Sequence, residues 1–386
     1  MPKAEVHRTK EVERKDDMTE VDQTFSVKSD PIEIKKLCIQ LIPRWNELKA
    51  DDITVRQIMA GLTNQLFQVC RRDGVDEKFL FRIYGEDVGD LYNPDEELES
   101  FKYLAKLGLA PGLVATFDGG RIEKWILGPA LLSKEMTNPS VMCTVATMLA
   151  RLHSLPTKRE DFPKFPVRPL GHFFSWRQAC HDLIQTAMAD PQADPVLKRR
   201  LEETRALEVF ELTKEDTLQS VLIPADAAPS ILHDIGFCHN DLQENNMLVE
   251  NGRLQFIDFE YSGLSLRAAD VSNFFAEATL DYCVDEYPFY KYDESLYPTV
   301  EMQKIFASVY LSEALGETVW PSNDKFQKPF LDAVARFSMF GDALWGFWSV
   351  IRCPDGPFTK DTFDFLLYAR DRFTSFIAKY QKYSNM

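Results

Sequence analysis

The stretch FCHNDLQENNMLVENGRLQFIDFE, residues 237–260, places three oxygen-bearing side chains close together in the chain. Asp241 is followed five residues later by Asn246, and Asp258 lies twelve residues further on. Between the last two, apolar residues flank an Asn-Gly dipeptide, a pattern typical of a tight β-hairpin. Such a hairpin would return Asp258 to the loop that carries Asp241 and Asn246. The stretch therefore predicts a single convergent polar site.

A carboxylate, an amide and a second carboxylate are the groups that phosphoryl transfer requires. One carboxylate orients the attacking hydroxyl and accepts its proton, while other side-chain oxygens bind Mg²⁺. Asp241 fits the first role, and Asn246 and Asp258 fit the second. Any one of these residues alone would more often be an ordinary loop or capping residue in a polar turn between core strands. The complete string at this spacing favours the catalytic interpretation.

The same stretch resembles the catalytic and metal-binding segments of the protein-kinase-like superfamily, with HND in place of HRD and DFE in place of DFG. More narrowly, HNDLQENN followed by IDFEYSG resembles the choline/ethanolamine kinase family. The similarity extends from about residue 55 to about residue 380, apart from a divergent middle. It implies ATP and Mg²⁺ as cofactors.

The resemblance also implies an α+β, two-lobed protein-kinase-like fold. We expect a disordered tail at residues 1–30, followed at residues 31–130 by a small, β-rich nucleotide-binding lobe with a leading helix. A larger, mainly helical lobe at residues 131–386 would carry the catalytic and substrate-binding residues. Association into a homodimer is suggested by the same resemblance.

The charge and composition of the chain narrow its partners. Its 386 residues carry a formal net charge of −16, which argues against nucleic acid or an anionic membrane surface. Seven scattered cysteines without a CxxC pair favour reduced thiols in an intracellular protein over disulfides or a zinc site. The N-terminus has no apolar segment typical of a secretory signal, and no run of about 18 apolar residues is present. We therefore expect a soluble, cytoplasmic protein without membrane insertion.

Apolar periodicity predicts how the first lobe begins. Residues 31–50 place apolar side chains at helical spacing, which predicts an amphipathic helix. The next segment, ITVRQIMAGLTNQLFQVCRR, is typical of two strands joined by a glycine-containing turn. A lone glycine there is more often structural, but GLTNQLF resembles the phosphate-binding loop of the family, although Ala60 replaces that loop's first glycine. The resemblance implies nucleotide binding by Gly61, Leu62, Thr63 and Asn64.

A buried charge is predicted in the strand KFLFRIYGE, where Arg82 is flanked by apolar residues and needs an acidic partner. The helix EELESFKYLAKLG offers Glu97 and Glu99; spacing favours Glu97, and a solvated helix face is the alternative. The resemblance implies that Arg82 binds the ATP phosphates. It also implies that ATFDGGRIEKWILG ends in a linker between the lobes, where Glu123 and Ile126 lie beside the adenine.

Downstream of residues 237–260, YSGLSLRAADVSNFFAE resembles a family segment in which Asp270 would brace the catalytic loop from below. The family pattern implies substrate-binding roles for Asp241, Glu260, Tyr261, Glu277 and Tyr282. Gln243, two residues beyond Asp241, lies within reach of the same substrate.

Trp345 and Trp348, in DALWGFWSVIR, are three residues apart and share one face of a predicted helix. Core packing is the usual role of such a pair, but the resemblance implies a cation pocket that also contains Tyr368. A quaternary ammonium alcohol has a fixed charge and no N–H donor. Aromatic faces and a carboxylate are therefore the groups that can hold it.

The resemblance implies ATP-dependent phosphorylation of choline to phosphocholine, the first step of phosphatidylcholine synthesis by the CDP-choline route. Ethanolamine kinase or a dual enzyme is the alternative: LQENN and the tryptophan pair favour choline, while the absence of an aromatic residue at Ala278 weakens that preference. A catalytically silent binding module is disfavoured because the three oxygen ligands and Arg82 are intact. An aminoglycoside-type phosphotransferase would usually lack the FEYSG and tryptophan segments.

Overall fold

A computed structural model describes residues 19–20, 30–58, 64–85, 93–157, 162–353 and 359–384. Their contacts divide the chain into two compact units. The first comprises Met1–Gly85 with Gly112–Trp125, and the second comprises Glu86–Pro111 with Ile126–Met386. Nearly all of the tail expected at residues 1–30 lies outside the described residues.

The first unit is built on a six-stranded sheet with one helix, α1 (Pro31–Leu41). The strands are β1 (Thr19–Glu20), β2 (Ile53–Ile58), β3 (Gln65–Arg71), β4 (Lys78–Ile83), β5 (Leu113–Phe117) and β6 (Gly120–Lys124). Their order is β1-β5-β6-β4-β3-β2, and only β1 with β5 is parallel among these pairs. The predicted strands on either side of the glycine-containing turn, and the predicted Arg82 strand, are confirmed.

The leading helix is shorter than predicted, because it ends at Leu41 and does not reach residue 50. Ile42, which precedes Pro43, is extended with ψ 123°, as steric contact with a following proline requires. Trp45, beyond the helix end, is nevertheless buried in the core of this unit, and its Nε1 donates to Glu77 Oε2 at 2.7 Å. The periodicity thus predicted the buried face correctly but not the length of the helix.

The second unit is mainly helical. Its helices are α2 (Pro94–Lys106), α3 (Ser133–Met136), α4 (Pro139–His153), α5 (Phe173–Ala189), α6 (Pro195–Glu203), α7 (Ala206–Leu212), α8 (Glu215–Leu222), α9 (Arg267–Glu277), α10 (Val300–Leu315), α11 (Asp324–Ile351) and α12 (Phe365–Ser384). The long α11 packs against α12, α9, α5 and α10 and forms the centre of this unit. Among the described residues, no helix is both long and apolar enough to cross a membrane.

Short antiparallel strand pairs complete the second unit: β7 (Ile235–Cys238) with β10 (Gly263–Leu266), β8 (Met247–Glu250) with β9 (Arg253–Phe256), and β11 (Leu280–Asp281) with β12 (Lys291–Tyr292). A β-sheet unit and a mainly helical unit confirm the α+β class. The helix α2, which was expected in the first lobe, groups with the second unit.

The predicted Asn-Gly hairpin is present as β8–β9. Glu250 pairs with Arg253, which leaves Asn251 and Gly252 as a two-residue turn with φ of 51° and 74°. Two consecutive positive φ values are those of a type I′ turn, which matches the twist of the flanking strands. The sequence therefore determines the local geometry that returns the chain towards Asp241.

The segment Leu127–Leu131 follows β8 closely. Val249 N donates to Pro129 O and Leu131 N donates to Met247 O, both at 3.0 Å. Gly128 lies so near this strand that a Cβ atom built on it would be 2.0 Å from the Val249 carbonyl oxygen. This close backbone approach explains a glycine at the start of GPAL.

We expect Gly128→Ala to destabilise the protein by about 1–3 kcal/mol, because the new methyl group can be accommodated only if the backbone moves. A fall in the thermal unfolding midpoint would measure this effect. Gly263→Ala is the matched control, since a Cβ there has no neighbour within 4 Å among the described residues. Equal midpoints for the two variants would contradict the packing argument.

Candidate active site

The loop after β7 is held by a buried carboxylate from α9. Asp270 accepts hydrogen bonds from the backbone N–H of His239 at 2.7 Å and of Asn240 at 2.9 Å. His153 Nε2, from α4, lies 3.0 Å from the same carboxylate, and its Nδ1 is 2.7 Å from the Tyr310 hydroxyl. The structure thus brings Asp270 into contact with the backbone of the His-Asn-Asp loop.

Electrostatics favour this arrangement. Burial alone would raise the pKa of Asp270, but the hydrogen bonds from His153 and from the His239 backbone outweigh it, so the pKa lies below its usual value. Burial lowers the pKa of His153, which leaves its imidazole neutral at pH 7. The neutral ring donates from Nε2 to Asp270 and accepts from Tyr310 at Nδ1. His153 therefore has a structural role.

The segment that precedes Asp258 is fastened to the same loop by its backbone. Ile257 N donates to Asn246 O at 3.0 Å, and His239 Nε2 donates to Ile257 O at 2.9 Å. Burial lowers the pKa of His239, so its ring is neutral, and its Nδ1 accepts from Asp241 N at 3.3 Å. The hairpin therefore brings the Asp258 segment back to the loop, as the sequence predicts.

Asp241 and Asn246 are in direct contact. Asn246 Nδ2 donates to Asp241 Oδ2 at 2.9 Å and to the Asp241 carbonyl at 2.8 Å. Burial raises the pKa of Asp241 well above its usual value, and the negative charges of Glu277, Glu260 and Asp258 raise it further. A buried carboxyl group whose pKa is raised by burial and by specific charged neighbours is a candidate functional residue.

The donor atoms here fit a magnesium ion. Both protons of the Asn246 amide are engaged by Asp241, so Oδ1 is the side-chain atom left to act as a ligand. Asp258 has φ 62°, a left-handed conformation that is costly for a residue with a Cβ and that recurs at functional sites. An amide oxygen beside a carboxylate is the hard-oxygen pair that Mg²⁺ prefers.

In the first unit, Arg82 is buried in β4 and its Nε donates to Glu123 Oε1 at 3.1 Å. Arg121 Nε donates to the same oxygen at 2.7 Å, so Glu123 joins two buried arginines. Glu123 therefore lies within β6 and not in the expected linker, because its carboxylate pairs with these two buried arginines. The expected pairing with a glutamate of α2 stays a prediction: Glu97 is on the buried face of that helix, whereas Glu99 is exposed and contacts Lys102.

The other residues predicted for the nucleotide are only partly described. Gly61, Leu62 and Thr63 lie outside the described residues. Asn64 is buried, and its Oδ1 accepts from Gly85 N at 3.4 Å. Ile126 directly follows the last residue of the first unit.

The two tryptophans of α11 are buried, and both use their ring N–H inside the protein. Trp345 Nε1 donates to Asn273 Oδ1 at 2.7 Å, and Trp348 Nε1 donates to the Tyr261 hydroxyl at 2.9 Å. Their ring centroids are 5.7 Å apart at 80°, and Tyr261 is 5.8 Å from Trp345 at 74°. The predicted pair thus forms an edge-to-face aromatic cluster with Tyr261.

A second cluster surrounds Glu277. The Tyr282 hydroxyl donates to Glu277 Oε2 at 2.8 Å and lies 2.8 Å from the Tyr368 hydroxyl. Arg372 Nη2 forms a close ion pair with Glu277 Oε1, and its Nε donates to Tyr368 at 2.8 Å. On the far side, Arg372 Nη1 is 3.3 Å from Asp342 Oδ1.

Helix α9 links the two clusters to Asp241. Asn273 and Glu277 are four residues apart and occupy the same helix face. Burial is the main cause of the raised pKa of Asp241, and the charge of Glu277 raises it further. Burial likewise raises the pKa of Tyr261, and the charge of Asp241 adds to that shift. Both clusters therefore lie near the proposed catalytic carboxylate.

Two further predicted residues have specific positions. Gln243 begins the short 3₁₀ helix Glu244–Asn246, and its Oε1 accepts from Asn245 N at 3.3 Å. Glu260 is buried and close enough to Asp241 to raise its pKa.

Sequence reasoning missed Arg372 and Asp342. A helical repeat would have suggested Arg372, which lies one turn beyond Tyr368 on α12 and therefore faces the same way. Asp342 lies one turn before Gly346 in an almost entirely buried stretch of α11. A carboxylate in such a stretch needs a cationic partner, but the sequence does not identify which one.

A His-Asn-Asp loop braced by a buried aspartate, with a second aspartate returned to it by a hairpin, is the arrangement of the protein-kinase-like superfamily. Aromatic and acidic clusters lie beside Asp241. Together they define a small-molecule kinase.

The comparisons identify the family. The family model for choline/ethanolamine kinase matches residues 55–377, and the chain belongs to this family. It is 29% identical over 342 residues to the choline/ethanolamine kinase of Rattus norvegicus, covering 85% of this chain and 81% of that protein. It is 31% identical over 346 residues to ethanolamine kinase 1 of Mus musculus, covering 87% and 85%.

Its fold is similar to the crystal structure of choline kinase from Cryptosporidium parvum, with a TM-score of 0.77 and 32% identity. That match covers 92% of this chain and 96% of the other. The chain is therefore a kinase of this family, with the predicted protein-kinase-like fold.

We expect Asp270→Asn to lower both stability and activity. An amide presents an N–H₂ group to one of the backbone or imidazole donors, and a buried unsatisfied donor costs about 1–3 kcal/mol. Thermal unfolding and a coupled kinase assay would measure the two effects, with activity falling more than about tenfold. Asp182→Asn, on an exposed face of α5, is the control. Wild-type activity in Asp270→Asn would show that the loop does not need this brace.

Proposed function

We propose that this kinase transfers the γ-phosphoryl group of ATP to choline, in the cytoplasm, as the first step of phosphatidylcholine synthesis by the CDP-choline route. The observation that carries the proposal is the aromatic cluster beside Asp241, in which both indole N–H groups are already engaged within the protein. The ring faces are therefore the parts of Trp345 and Trp348 that can contact a ligand. Aromatic faces suit a methylated ammonium group, which has no N–H to donate.

The proposed roles of the chain's own residues follow from their contacts. Asp241 orients the substrate hydroxyl and accepts its proton, while Asn246 keeps the carboxylate in position through its amide N–H₂. Glu260, Glu277, Tyr261, Tyr282 and Tyr368 are proposed to surround the cationic end, with Gln243 near the hydroxyl end. Positioning and electrostatics supply most of the catalysis in such reactions.

Magnesium and ATP are the proposed cofactors. Asn246 and Asp258 would hold Mg²⁺, which neutralises phosphate charge when bound. In the first unit, Gly61, Leu62, Thr63, Asn64 and Arg82 are proposed for the phosphates. Glu123 would hold Arg82 in its rotamer through their ion pair. Glu97 and Ile126 stay predictions for nucleotide binding.

Asp241→Ala should abolish phosphoryl transfer while ATP still binds, because the variant loses the group that orients the hydroxyl but keeps the proposed metal ligands. We expect turnover to fall more than about a thousandfold, as when a general base and its positioning effect are both removed. A coupled assay and calorimetric ATP titration would separate the two properties. Asp226→Ala, at an exposed loop position, is the control. Turnover above a tenth of wild type would remove Asp241 from this role.

Choline should be preferred over ethanolamine and kanamycin when kcat/KM is measured for all three. Trp345→Leu should raise KM for choline more than KM for ethanolamine, since a desolvated cation–π contact contributes about 2 kcal/mol, or roughly thirtyfold. Trp345→Phe should recover part of the loss. Trp320→Leu is the matched control, because this side chain is 68% exposed.

Equal effects of Trp345→Leu on the two substrates would contradict the aromatic pocket. A preference for ethanolamine would support the runner-up activity, for which the carboxylate of Glu277 is the supporting observation. Absence of ATP binding in the wild-type protein would favour a silent binding module. Light scattering would test the proposed homodimer.

A further inference from the structure

Three side chains of types that can bind a metal ion lie close together beside Tyr282. Glu244 comes from the short 3₁₀ helix after Asp241, and Asp281 and Cys283 come from the strand β11 and the turn after it. One ligand atom of each residue lies within 4.8 Å of the others. These residues have no part in the proposed phosphoryl transfer.

Glu244 is an unusual member of this group, because its side chain is completely buried. Its Oε1 accepts a hydrogen bond from Tyr282 N at 3.1 Å. Its Oε2, also buried, has no hydrogen-bond partner among the residues that the structure describes. A buried carboxylate oxygen without a partner is costly, and a bound cation would remove that cost.

We propose that Glu244, Asp281 and Cys283 form a Zn²⁺ site. Zinc binds thiolate and carboxylate ligands together, whereas Mg²⁺ and Ca²⁺ prefer oxygen ligands alone. Cys283 is exposed, so the ion can enter from solvent and keep a water molecule as its fourth ligand. On binding, the Cys283 thiol releases its proton to solvent and coordinates as a thiolate.

The surrounding contacts already orient these ligands. Cys283 N donates to Asp281 Oδ1 at 2.9 Å and Tyr282 N donates to Glu244 Oε1 at 3.1 Å, so both carboxylates are held by backbone N–H groups. Such secondary hydrogen bonds hold metal ligands in position in known sites. The other described cluster of this kind, His153 with Cys238 and Asp270, is buried and used to brace the catalytic loop.

The position of the site connects it to the substrate pocket. Tyr282 lies between Asp281 and Cys283 in the chain. Its N–H donates to Glu244, and its hydroxyl donates to Glu277. Zinc would therefore fix the backbone on both sides of a residue proposed to contact the substrate. The site is invisible in the sequence, since Glu244 is 37 residues from Asp281.

Cobalt absorption provides a direct test, because Co²⁺ bound to a thiolate has a charge-transfer band in the near ultraviolet. The full-length protein would be titrated with Co²⁺ in excess Mg²⁺, so that the proposed Asn246–Asp258 site is occupied. We expect one equivalent of Co²⁺ to produce the band and Zn²⁺ to displace it. Cys283→Ser should abolish the band, and Asp281→Asn should weaken binding at least tenfold. Cys143→Ser, in α4, is the matched cysteine control.

Absence of the band in the wild-type protein would overturn the proposal, as would its persistence in Cys283→Ser or its loss in Cys143→Ser. Zinc binding that survives both Cys283→Ser and Asp281→Asn would also overturn it, because the ion would then occupy another site. Activity with MgATP in the absence of zinc should be unchanged in Cys283→Ser, which verifies that this variant is folded. The test does not depend on the identity of the phosphate acceptor.

Discussion

The carboxylate of Asp270 is the constraint on which the catalytic loop depends. The loop contains Asn240 at φ 66°, a conformation that most side chains disfavour, and such backbone persists only when its surroundings fix it. Asp270 supplies that restraint by accepting from two consecutive backbone N–H groups. It remains charged because hydrogen-bond donors surround it, so the interaction is stronger than one between neutral groups.

The same helix that supplies the brace also supplies the substrate pocket. Asp270, Asn273 and Glu277 lie at intervals of three and four residues along α9. Any shift of α9 would therefore move three things together: the catalytic loop, Asn273, which bonds Trp345, and Glu277, which bonds Tyr282. Burial of almost all of α9, and its packing against α11, make such a shift costly.

Local sequence was sufficient for some of these features. An Asn-Gly dipeptide between apolar runs determines a hairpin without help from the rest of the chain, which is why Asp258 could be placed near Asp241. The length of α1 also depended on a local feature, Pro43, which the periodicity argument overlooked. In both cases the physical cause lies within a few residues of its effect.

Pairings between distant segments could not be predicted in this way. The register of β4 with β6 puts Arg82 opposite Arg121, and the repulsion between them is relieved because Glu123 points to the same face of the sheet two residues later. The residues next to Arg82 or Arg121 in the sequence do not show which strands will pair. Arg372, Glu277 and Asp342 present the same difficulty, since they come from three helices.

The Glu277 and Arg372 pair also bears on how an acceptor would be selected. A primary ammonium group loses hydrogen bonds to water when it is buried, and it needs acceptors in the protein to replace them. Both oxygens of Glu277 already accept hydrogen bonds, one from Arg372 and one from Tyr282. A trimethylated ammonium group makes no such demand, because its charge is spread over methyl groups that contact aromatic faces. Engagement of Glu277 by Arg372 and Tyr282 leaves fewer acceptor sites for a primary amine than a free carboxylate would offer, which is one physical argument for the proposed preference for choline.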